Sequence, residues 1–241
     1  MQMRRIRVLE TGSNSAFFNM ALDEALMRLS PLPTLRLYSW SPPAVTIGYF
    51  QKIEEEVDLD ECRRHGVDFT RRITGGGAVF HEHELTYSFV TKDYPLNVLA
   101  SYKQICAPLI HALKNLGLDA EFVPLNDIVV NGKKVSGNAQ TRRSGVLLQH
   151  GTILLEVDVN KMFTLLRVPD EKLKDKIVKD VRERVMGIGF PFERVAEAVK
   201  EGFASIFEAE LFQDSPTEEE IKLAKKIEKE RYASERWIYG I

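Results

Sequence analysis

The 241-residue sequence predicts an α+β fold in which helices flank a mixed, mostly antiparallel sheet. Segments with the two-residue alternation of strands are interleaved irregularly with segments of helical period, unlike the regular alternation of a doubly wound parallel sheet. Two hairpin signals, Asn131-Gly132 and Arg143-Ser144-Gly145, add to this pattern. Because hairpins join antiparallel strands, both signals favour a mostly antiparallel arrangement.

The first half of the chain predicts strands at residues 6–10, 34–40, 44–50, 67–72 and 85–91. Asn14 or Ser15 can cap a helix after the first strand, since the following apolar residues recur at helical spacing. Ser41-Pro42-Pro43 separates the second and third strands, which we expect to be adjacent. A second amphipathic helix ends at Gly117, a favourable left-handed cap.

The second half predicts a β-meander between residues 127 and 158, followed by helices at 160–168, 171–185, 192–207 and 217–231. The one candidate boundary is the polar stretch 213–216. We therefore expect a single catalytic domain over residues 1–241, with residues 213–241 forming a C-terminal helical appendage.

Composition excludes several classes of function. The 33 basic and 35 acidic side chains leave a net charge of -2, so no overall field attracts nucleic acid or an anionic membrane. No apolar run has the length of a signal peptide or a membrane span, which predicts a cytoplasmic protein. Two cysteines without CxxC spacing argue against a zinc site and a disulfide scaffold.

The run Arg71-Arg72-Ile73-Thr74-Gly75-Gly76-Gly77 is the first candidate for a binding site. Three glycines lose much backbone entropy on folding, which a ligand close to the backbone would explain. Phosphate oxygens can reach such N–H groups, and Arg72 supplies a planar charged fork for the same anion. The pattern is neither GxxxxGK[ST] nor GxGxxG, and a tight turn explains it equally well.

A second group of polar residues lies in the predicted meander. Strand alternation places Lys133 and Lys134 on opposite faces, with Lys134 sharing its face with Ser136. A lysine beside a phosphate loop would neutralise charge that develops on an α-phosphate, although an exposed hairpin has the same appearance. Asp127 is a candidate to hold Mg²⁺ or the Lys134 ammonium, and Asn126 a ribose or phosphate; the pair also fits a turn.

Taken in order, these segments resemble the lipoate–protein ligase family. That family is part of the biotin and lipoate ligase fold, which is similar to the catalytic domain of class II aminoacyl-tRNA synthetases. The resemblance covers nearly the whole chain, from Leu9 to Trp237. It rests on residues 71–81, Asn126-Asp127, Lys134-Val135-Ser136-Gly137, His150-Gly151-Thr152, the segment at 168–172 and Arg182-Glu183-Arg184-Val185.

The resemblance implies a reaction in two steps. Lipoate and ATP give lipoyl-AMP and pyrophosphate, and a lysine of a carrier domain of the 2-oxoacid dehydrogenase E2 or glycine cleavage H protein type then displaces AMP. Lys134 would be catalytic and contact both substrates. The implied nucleotide-binding residues are Arg72, Gly77, Ala78, Val79, Phe80, Asn126 and Asp127, the last also for Mg²⁺. The implied lipoate-binding residues are Gly75, Gly76, His81, Ser136, Gly137 and His150, with strands 44–50 and 146–155 lining an apolar slot.

Two departures from the family pattern leave alternatives open. Leu85 stands where many members have Asn, which also resembles the octanoyltransferase relatives that pass the acyl group through a cysteine thioester. Neither place where those relatives carry the cysteine holds a thiol here: residues 120–124 read Ala-Glu-Phe-Val-Pro, and the other position is Leu147. We therefore expect Cys62 and Cys106 to be structural. An ATP-independent octanoyl or lipoyl transferase and a non-catalytic lipoate-binding protein remain the alternatives.

The second departure is length. The sequence stops at Ile241, whereas larger relatives carry a C-terminal accessory domain. This resembles the split ligases, in which that domain is a separate polypeptide, so we expect a separate accessory-domain protein as a partner.

Overall fold

The computed structural model describes residues 4–168 and 173–240. Residues 169–172, which include most of the motif at 168–172 and the start of the predicted helix 171–185, lie outside the described residues. The strands are β1 Arg4–Asn14, β2 Thr34–Trp40, β3 Ala44–Ile47, β4 Asp68–Arg71, β5 Val79–His81, β6 Glu84–Thr91, β7 Ala120–Val123, β8 Asp127–Val130, β9 Lys133–Arg143, β10 Val146–Leu154 and β11 Ala209–Asp214.

Most helices correspond to predicted ones, although those at Ile53–Glu56 and Glu235–Tyr239 were not predicted. The helices are α1 Ala16–Leu29, α2 Ile53–Glu56, α3 Leu59–Arg64, α4 Val98–Asn115, α5 Val159–Leu165, α6 Lys174–Arg184, α7 Phe192–Phe207, α8 Glu218–Ile227 and α9 Glu235–Tyr239, with a π-helical turn at Glu228–Tyr232. Ser15 is the N-cap of α1, because its side chain accepts a hydrogen bond from the Phe18 N–H. Among the described residues, no helix combines the length and hydropathy that a membrane span requires.

Two sheets form the framework of the described residues. The larger sheet has the order β11-β1-β2-β6-β10-β9-β8-β7, with β11, β1 and β2 parallel and the other pairs antiparallel. The smaller sheet has the order β4-β3-β5. The predicted α+β fold with a mixed, mostly antiparallel sheet is therefore confirmed.

The expected adjacency of strands 34–40 and 44–50 is wrong. β2 pairs with β1 and β6, whereas β3 pairs with β4 and β5 in the smaller sheet. Pro42 and Pro43 lack N–H donors and cannot extend the ladder, so the segment between the strands carries the chain from one sheet to the other. Strands β5, β7 and β11 were not predicted, and β11 includes part of the stretch 213–216 that we considered a boundary.

Both predicted hairpin turns are present. Asn131 and Gly132 have φ of 51° and 73°, and Ser144 and Gly145 have φ of 51° and 75°. Two successive left-handed residues define the tight turn that matches the twist of antiparallel strands. The turns hold β8, β9 and β10 together as the predicted meander, and this meander brings Lys134 to the site described below.

Apolar residues pack on both faces of the larger sheet. Helices α4 and α7 cover one face, where Leu109, Leu113 and Phe203 belong to one cluster with Tyr87 and Leu147. Helices α1 and α8 cover the other face. The smaller sheet has its own apolar cluster with residues of α2 and α3.

Candidate functional site

A cavity of about 290 Å³ opens between the segment that joins β4 to β5, strands β9 and β10, and helices α5 and α6. Most residues that the sequence singled out converge there, although they come from distant parts of the chain. The predicted residues that line it are Arg72, Gly75, Gly76, Gly77, Ala78, Val79, Phe80, His81, Asn126, Lys134, Gly137 and His150.

Ser136 and Asp127 do not line the cavity. The pairing of β8 with β9 shifts register, so that Ile128 lies opposite Ser136 but Val129 lies opposite Lys134. This bulge shifts the alternation by one residue, and Gly137 rather than Ser136 shares the cavity face with Lys134. The expectation that Lys134 and Ser136 share a face is therefore wrong; Ser136 is fully buried.

Lys134 is held beside Asp127 by the hairpin. Its Nζ lies 2.8 Å from Asp127 Oδ1, and both side chains are partly exposed. The contact is electrostatic, because Asp127 Oδ1 is buried and no donor is aligned with it. Gly137 leaves room for the ammonium, since a Cβ there would lie 3.0 Å from Lys134 Nζ. A half-exposed cation thus faces the cavity.

Arg72 braces the triglycine loop by hydrogen bonds to its backbone carbonyls. Its Nη2 donates to the carbonyls of Gly75 and Gly77, and its Nη1 donates to Thr46. Burial lowers the pKa of Arg72 to about 10. Because its η nitrogens are engaged within the protein, the geometry supports loop bracing as its role, rather than the free anion-binding fork that the sequence suggested.

The braced loop presents N–H groups on its other side. In a trans peptide the N–H points opposite the preceding carbonyl, so the N–H groups of Gly76 and Ala78 point away from Arg72. No hydrogen bond between described residues uses either N–H. Two free donors so close along the chain suit an anion such as a phosphate.

The segment after β3 supports the loop from the other flank and was missed by sequence reasoning. The Tyr49 N–H donates to the Thr74 carbonyl at 2.8 Å. Arg71, fully buried, donates to the carbonyls of Tyr49, Trp237 and Ile238, which ties the C-terminal helix α9 to the same segment. In the sequence, only the Arg71-Arg72 pair of the motif indicated that an arginine could stabilise this segment.

His150 links the loop to a buried carboxylate. Asp23 Oδ2 lies 3.1 Å from His150 Nδ1, and His150 Nε2 lies 2.8 Å from Thr74 Oγ1. Burial lowers the pKa of His150 despite the nearby Asp23. Burial opposes ionisation of Asp23, yet Arg36 at 2.7 Å and His150 hold the pKa of that carboxyl below its ordinary value. A neutral His150 therefore donates to Asp23 and accepts from Thr74.

Apolar side chains line the part of the cavity away from the charged groups. Trp40 stacks on His81 with ring centroids 4.1 Å apart. Of the two strands predicted to form the apolar slot, β3 contributes Thr46, and β10 contributes Leu154 together with His150, Gly151 and Thr152. Other apolar or largely apolar lining residues are Met20, Tyr38, Met162, Leu166, Val181 and Val185. The cavity therefore combines a cationic, donor-rich end with an apolar wall.

Neither cysteine reaches this cavity. Cys62 and Cys106 are both buried in apolar clusters, and neither belongs to the cavity lining. Burial raises the pKa of each thiol to about 12. Since the thiolate is the nucleophilic form, both residues are poor nucleophiles in this structure.

Comparison with known sequences gives consistent matches. Residues 15–204 match the family model described as lipoyl protein ligase A/B catalytic domain. The chain is 39% identical to octanoyltransferase LipM of Brevibacillus brevis, covering 98% of this chain and 99% of that protein. That alignment extends over 272 residues, more than the 241 of this chain, so the relative carries insertions that this chain lacks.

Solved structures show the same fold. A bi-partite lipoate protein ligase from Thermoplasma acidophilum superimposes with a TM-score of 0.91 at 35% identity, covering 100% of this chain and 97% of that one. A lipoate-protein ligase A bound with ATP superimposes with a TM-score of 0.85 at 31% identity, covering 99% of both chains. In both comparisons the similarity extends over nearly the full length of this chain and of the solved one.

Proposed function

This chain belongs to the lipoyl protein ligase A/B catalytic domain family, and from that premise we propose that it is an ATP-dependent, AMP-forming lipoate–protein ligase. One observation carries the choice. Lys134 and the triglycine loop line the same cavity, while both cysteines lie in apolar clusters outside its lining. A route through an enzyme thioester needs an accessible thiolate, which this arrangement does not supply.

The polar end of the cavity supports an adenylation step. A lipoate carboxylate oxygen would attack the α-phosphorus of ATP, and the bond between the α-phosphorus and the bridging oxygen would break to release pyrophosphate. The N–H groups of Gly76 and Ala78 would bind phosphate oxygens, and Lys134 would neutralise charge on the α-phosphate. Similarity to the ATP-bound ligase A supports the assignment of ATP to this chain.

Transfer would follow at the same place. The uncharged amine of a carrier lysine would attack the acyl carbonyl, the bond to the AMP oxygen would break, and AMP would leave as the amine loses its proton. The apolar wall near Trp40 suits a lipoyl or octanoyl tail.

Asp127 would be the carboxylate that holds Mg²⁺ together with phosphate oxygens. Its Oδ1 has no aligned hydrogen-bond donor but lies 2.8 Å from Lys134 Nζ, so Mg²⁺ would take the place of that ammonium when Lys134 contacts the α-phosphate. The described residues contain no cluster of three or more His, Cys, Asp or Glu for a protein-bound metal, but Mg²⁺ commonly uses one or two carboxylates with substrate phosphates. The ion would neutralise phosphate charge.

Two partners follow from the proposal. The first is a lipoyl-carrier domain, whose lysine accepts the acyl group. The second is a separate accessory-domain protein, supported by the likeness to a bi-partite ligase over the full length of this chain. Full lipoylation of a carrier domain by this chain alone would contradict the need for the second partner.

A second candidate function is ATP-independent octanoyl or lipoyl transfer. The observation in its favour is that curated relatives 33–39% identical over nearly the whole chain are octanoyltransferases. Those names support this alternative more directly than they support a ligase. In this chain such a transfer would have to proceed without an accessible cysteine.

One experiment separates the candidates. The chain is incubated with a carrier domain and either ATP, Mg²⁺ and lipoate or octanoate, or an octanoyl thioester of an acyl carrier protein, and products are identified by mass. The ligase predicts acyl-adenylate and pyrophosphate in the first mixture only. Modified carrier in the thioester mixture without ATP would establish the transferase, and binding without either product would indicate a lipoate-binding protein.

A further inference from the structure

A continuous chain of buried hydrogen bonds connects Glu84 to the triglycine loop. Glu84 Oε1 lies 2.7 Å from His81 Nδ1, and His81 Nε2 lies 2.7 Å from Thr46 Oγ1. Arg72 Nη1 donates to that same hydroxyl at 2.8 Å, and its Nη2 holds the loop carbonyls. All four side chains are less than 10% exposed.

The chemistry of each group sets the direction of every bond in this chain. The Glu84 carboxylate only accepts, and Oε1 also receives Trp40 Nε1 at 3.0 Å, an obligate donor. His81 Nδ1 must therefore carry the imidazole hydrogen, which leaves Nε2 as an acceptor for the Thr46 hydroxyl. The lone pairs of Thr46 then face Arg72, a group that can only donate.

The opposite tautomer of His81 would disrupt the chain. With hydrogen on Nε2, both His81 and Arg72 would donate to the Thr46 oxygen. Neither could then accept the hydroxyl hydrogen of Thr46. An unsatisfied buried donor costs free energy comparable to a lost hydrogen bond. Glu84 thus selects the tautomer in which the Thr46 hydroxyl donates to His81 and accepts from Arg72, so that no buried donor is left unsatisfied.

We infer that Glu84 is a positioning residue: through His81 and Thr46 it holds Arg72 in the orientation that braces the triglycine loop and presents its free N–H groups. This inference rests on the proposed function, because the loop is taken to bind phosphate. It adds Glu84 and Thr46 to the functional residues and gives His81 a role other than direct contact with lipoate.

The variant E84L removes the acceptor oxygen and tests the inference with two independent readouts. Long-range ¹H–¹⁵N NMR reports which nitrogen of His81 carries hydrogen, and steady-state kinetics report kcat/KM for ATP in acyl-adenylate formation. We expect hydrogen on Nδ1 in the wild type and loss of that single tautomer in E84L, because leucine offers no acceptor to Nδ1. We expect kcat/KM for ATP to fall about 10- to 100-fold, the effect of one charge-assisted hydrogen bond, with KM for lipoate little changed.

The variant T46V provides a second test that does not alter the carboxylate. It removes the hydroxyl beyond His81, so we expect a similar fall in kcat/KM for ATP while His81 keeps hydrogen on Nδ1. E220L is the matched control: Glu220 is a buried carboxylate paired with Arg7 at 2.7 Å, and it does not line the cavity. We expect E220L to lower Tm and leave kcat/KM for ATP unchanged.

Three results would overturn the inference. The first is hydrogen on His81 Nε2 in the wild type. The second is unchanged kcat/KM for ATP in folded E84L or folded T46V. The third is a loss in E220L as large as in E84L, which would indicate a general stability effect. Absence of acyl-adenylate from the wild type would instead refute the proposed function, and the NMR measurement would still decide the tautomer.

Discussion

Gly48 lies directly against the backbone of Gly76. A Cβ at position 48 would lie 1.9 Å from the Gly76 carbonyl oxygen, far inside van der Waals contact. The end of β3 and the triglycine loop therefore touch through backbone alone. The glycine at position 48 is as much a part of the candidate site as the three glycines of the motif.

The variant G48A is predicted to displace the loop. Because the obstructing atoms belong to backbone, we expect a loss of roughly 1–3 kcal/mol in the free energy of unfolding and weaker ATP binding. Urea unfolding and calorimetric titration with ATP measure the two effects. G75A is the matched control for stability, since a Cβ at position 75 meets nothing within 4 Å; equal stability of the two variants would contradict the prediction.

Cysteine-free protein is predicted to remain active. The substitutions C62A and C106A remove two buried thiols whose pKa values burial raises to about 12. We expect some loss of stability and full retention of acyl transfer, without an acyl-thioester intermediate in mass spectra of the wild type. Loss of transfer in a folded C106A or C62A protein would contradict the ligase assignment and favour a thioester route.

The free energy of unfolding is predicted to depend on the protonation state of His150. Its pKa is lower in the folded protein than the ordinary 6.5, so the unfolded chain binds the proton more readily. The contribution of neutral His150 to the free energy of unfolding is therefore complete above about pH 6.5. It is lost as the pH falls from there towards the pKa of His150 in the folded protein. Asp23, whose folded pKa is depressed, adds a further loss at lower pH, below its ordinary 3.8.

Urea unfolding between pH 7.5 and pH 5 measures this dependence. We expect the free energy of unfolding to fall across that interval in the wild type and to fall less in H150Q. The control is H83Q, which replaces an exposed histidine instead of the buried one. Identical pH dependence in the wild type and H150Q would show that His150 is not the responsible group.

Arg71 is predicted to join the C-terminal helix to the site. It is fully buried and donates to backbone carbonyls of Tyr49, Trp237 and Ile238. R71A would leave these buried acceptors unpaired, so we expect a loss of about 2–4 kcal/mol in the free energy of unfolding. R63A, which removes an exposed ion pair with Asp60, should change it by less than about 0.5 kcal/mol. A small effect of R71A would contradict this role.

Most elements of the fold were predictable from local sequence. The helix capped by Ser15, the two left-handed turns and the helix over residues 192–207 follow from residues whose preferences the structure satisfies. Strand partners were less predictable. Nothing local in residues 34–47 indicates that β2 and β3 belong to different sheets, and the short edge strand β7 carries little pattern of its own.

In the candidate site, too, features set by local sequence were predictable and features set by distant contacts were not. Candidate residues were identifiable from glycine runs, the Asn131-Gly132 turn and the family resemblance, and most of them converge on one cavity. The bulge that moves Ser136 off the cavity face was not predictable, because it depends on the pairing of β8 with β9. Glu84, Asp23 and Thr46 were missed because buried hydrogen-bond partners give no motif along the chain.

The proposed reaction requires Lys134 for formation of the acyl-adenylate. The most direct measurement is lipoate-dependent pyrophosphate release, together with lipoyl-AMP by mass, for the wild type, K134A and K133A. We predict formation by the wild type and K133A and loss in K134A with Tm retained, because Lys134 is partly exposed whereas exposed Lys133 lies outside the cavity lining. Undiminished lipoyl-AMP formation by K134A would contradict this role of Lys134.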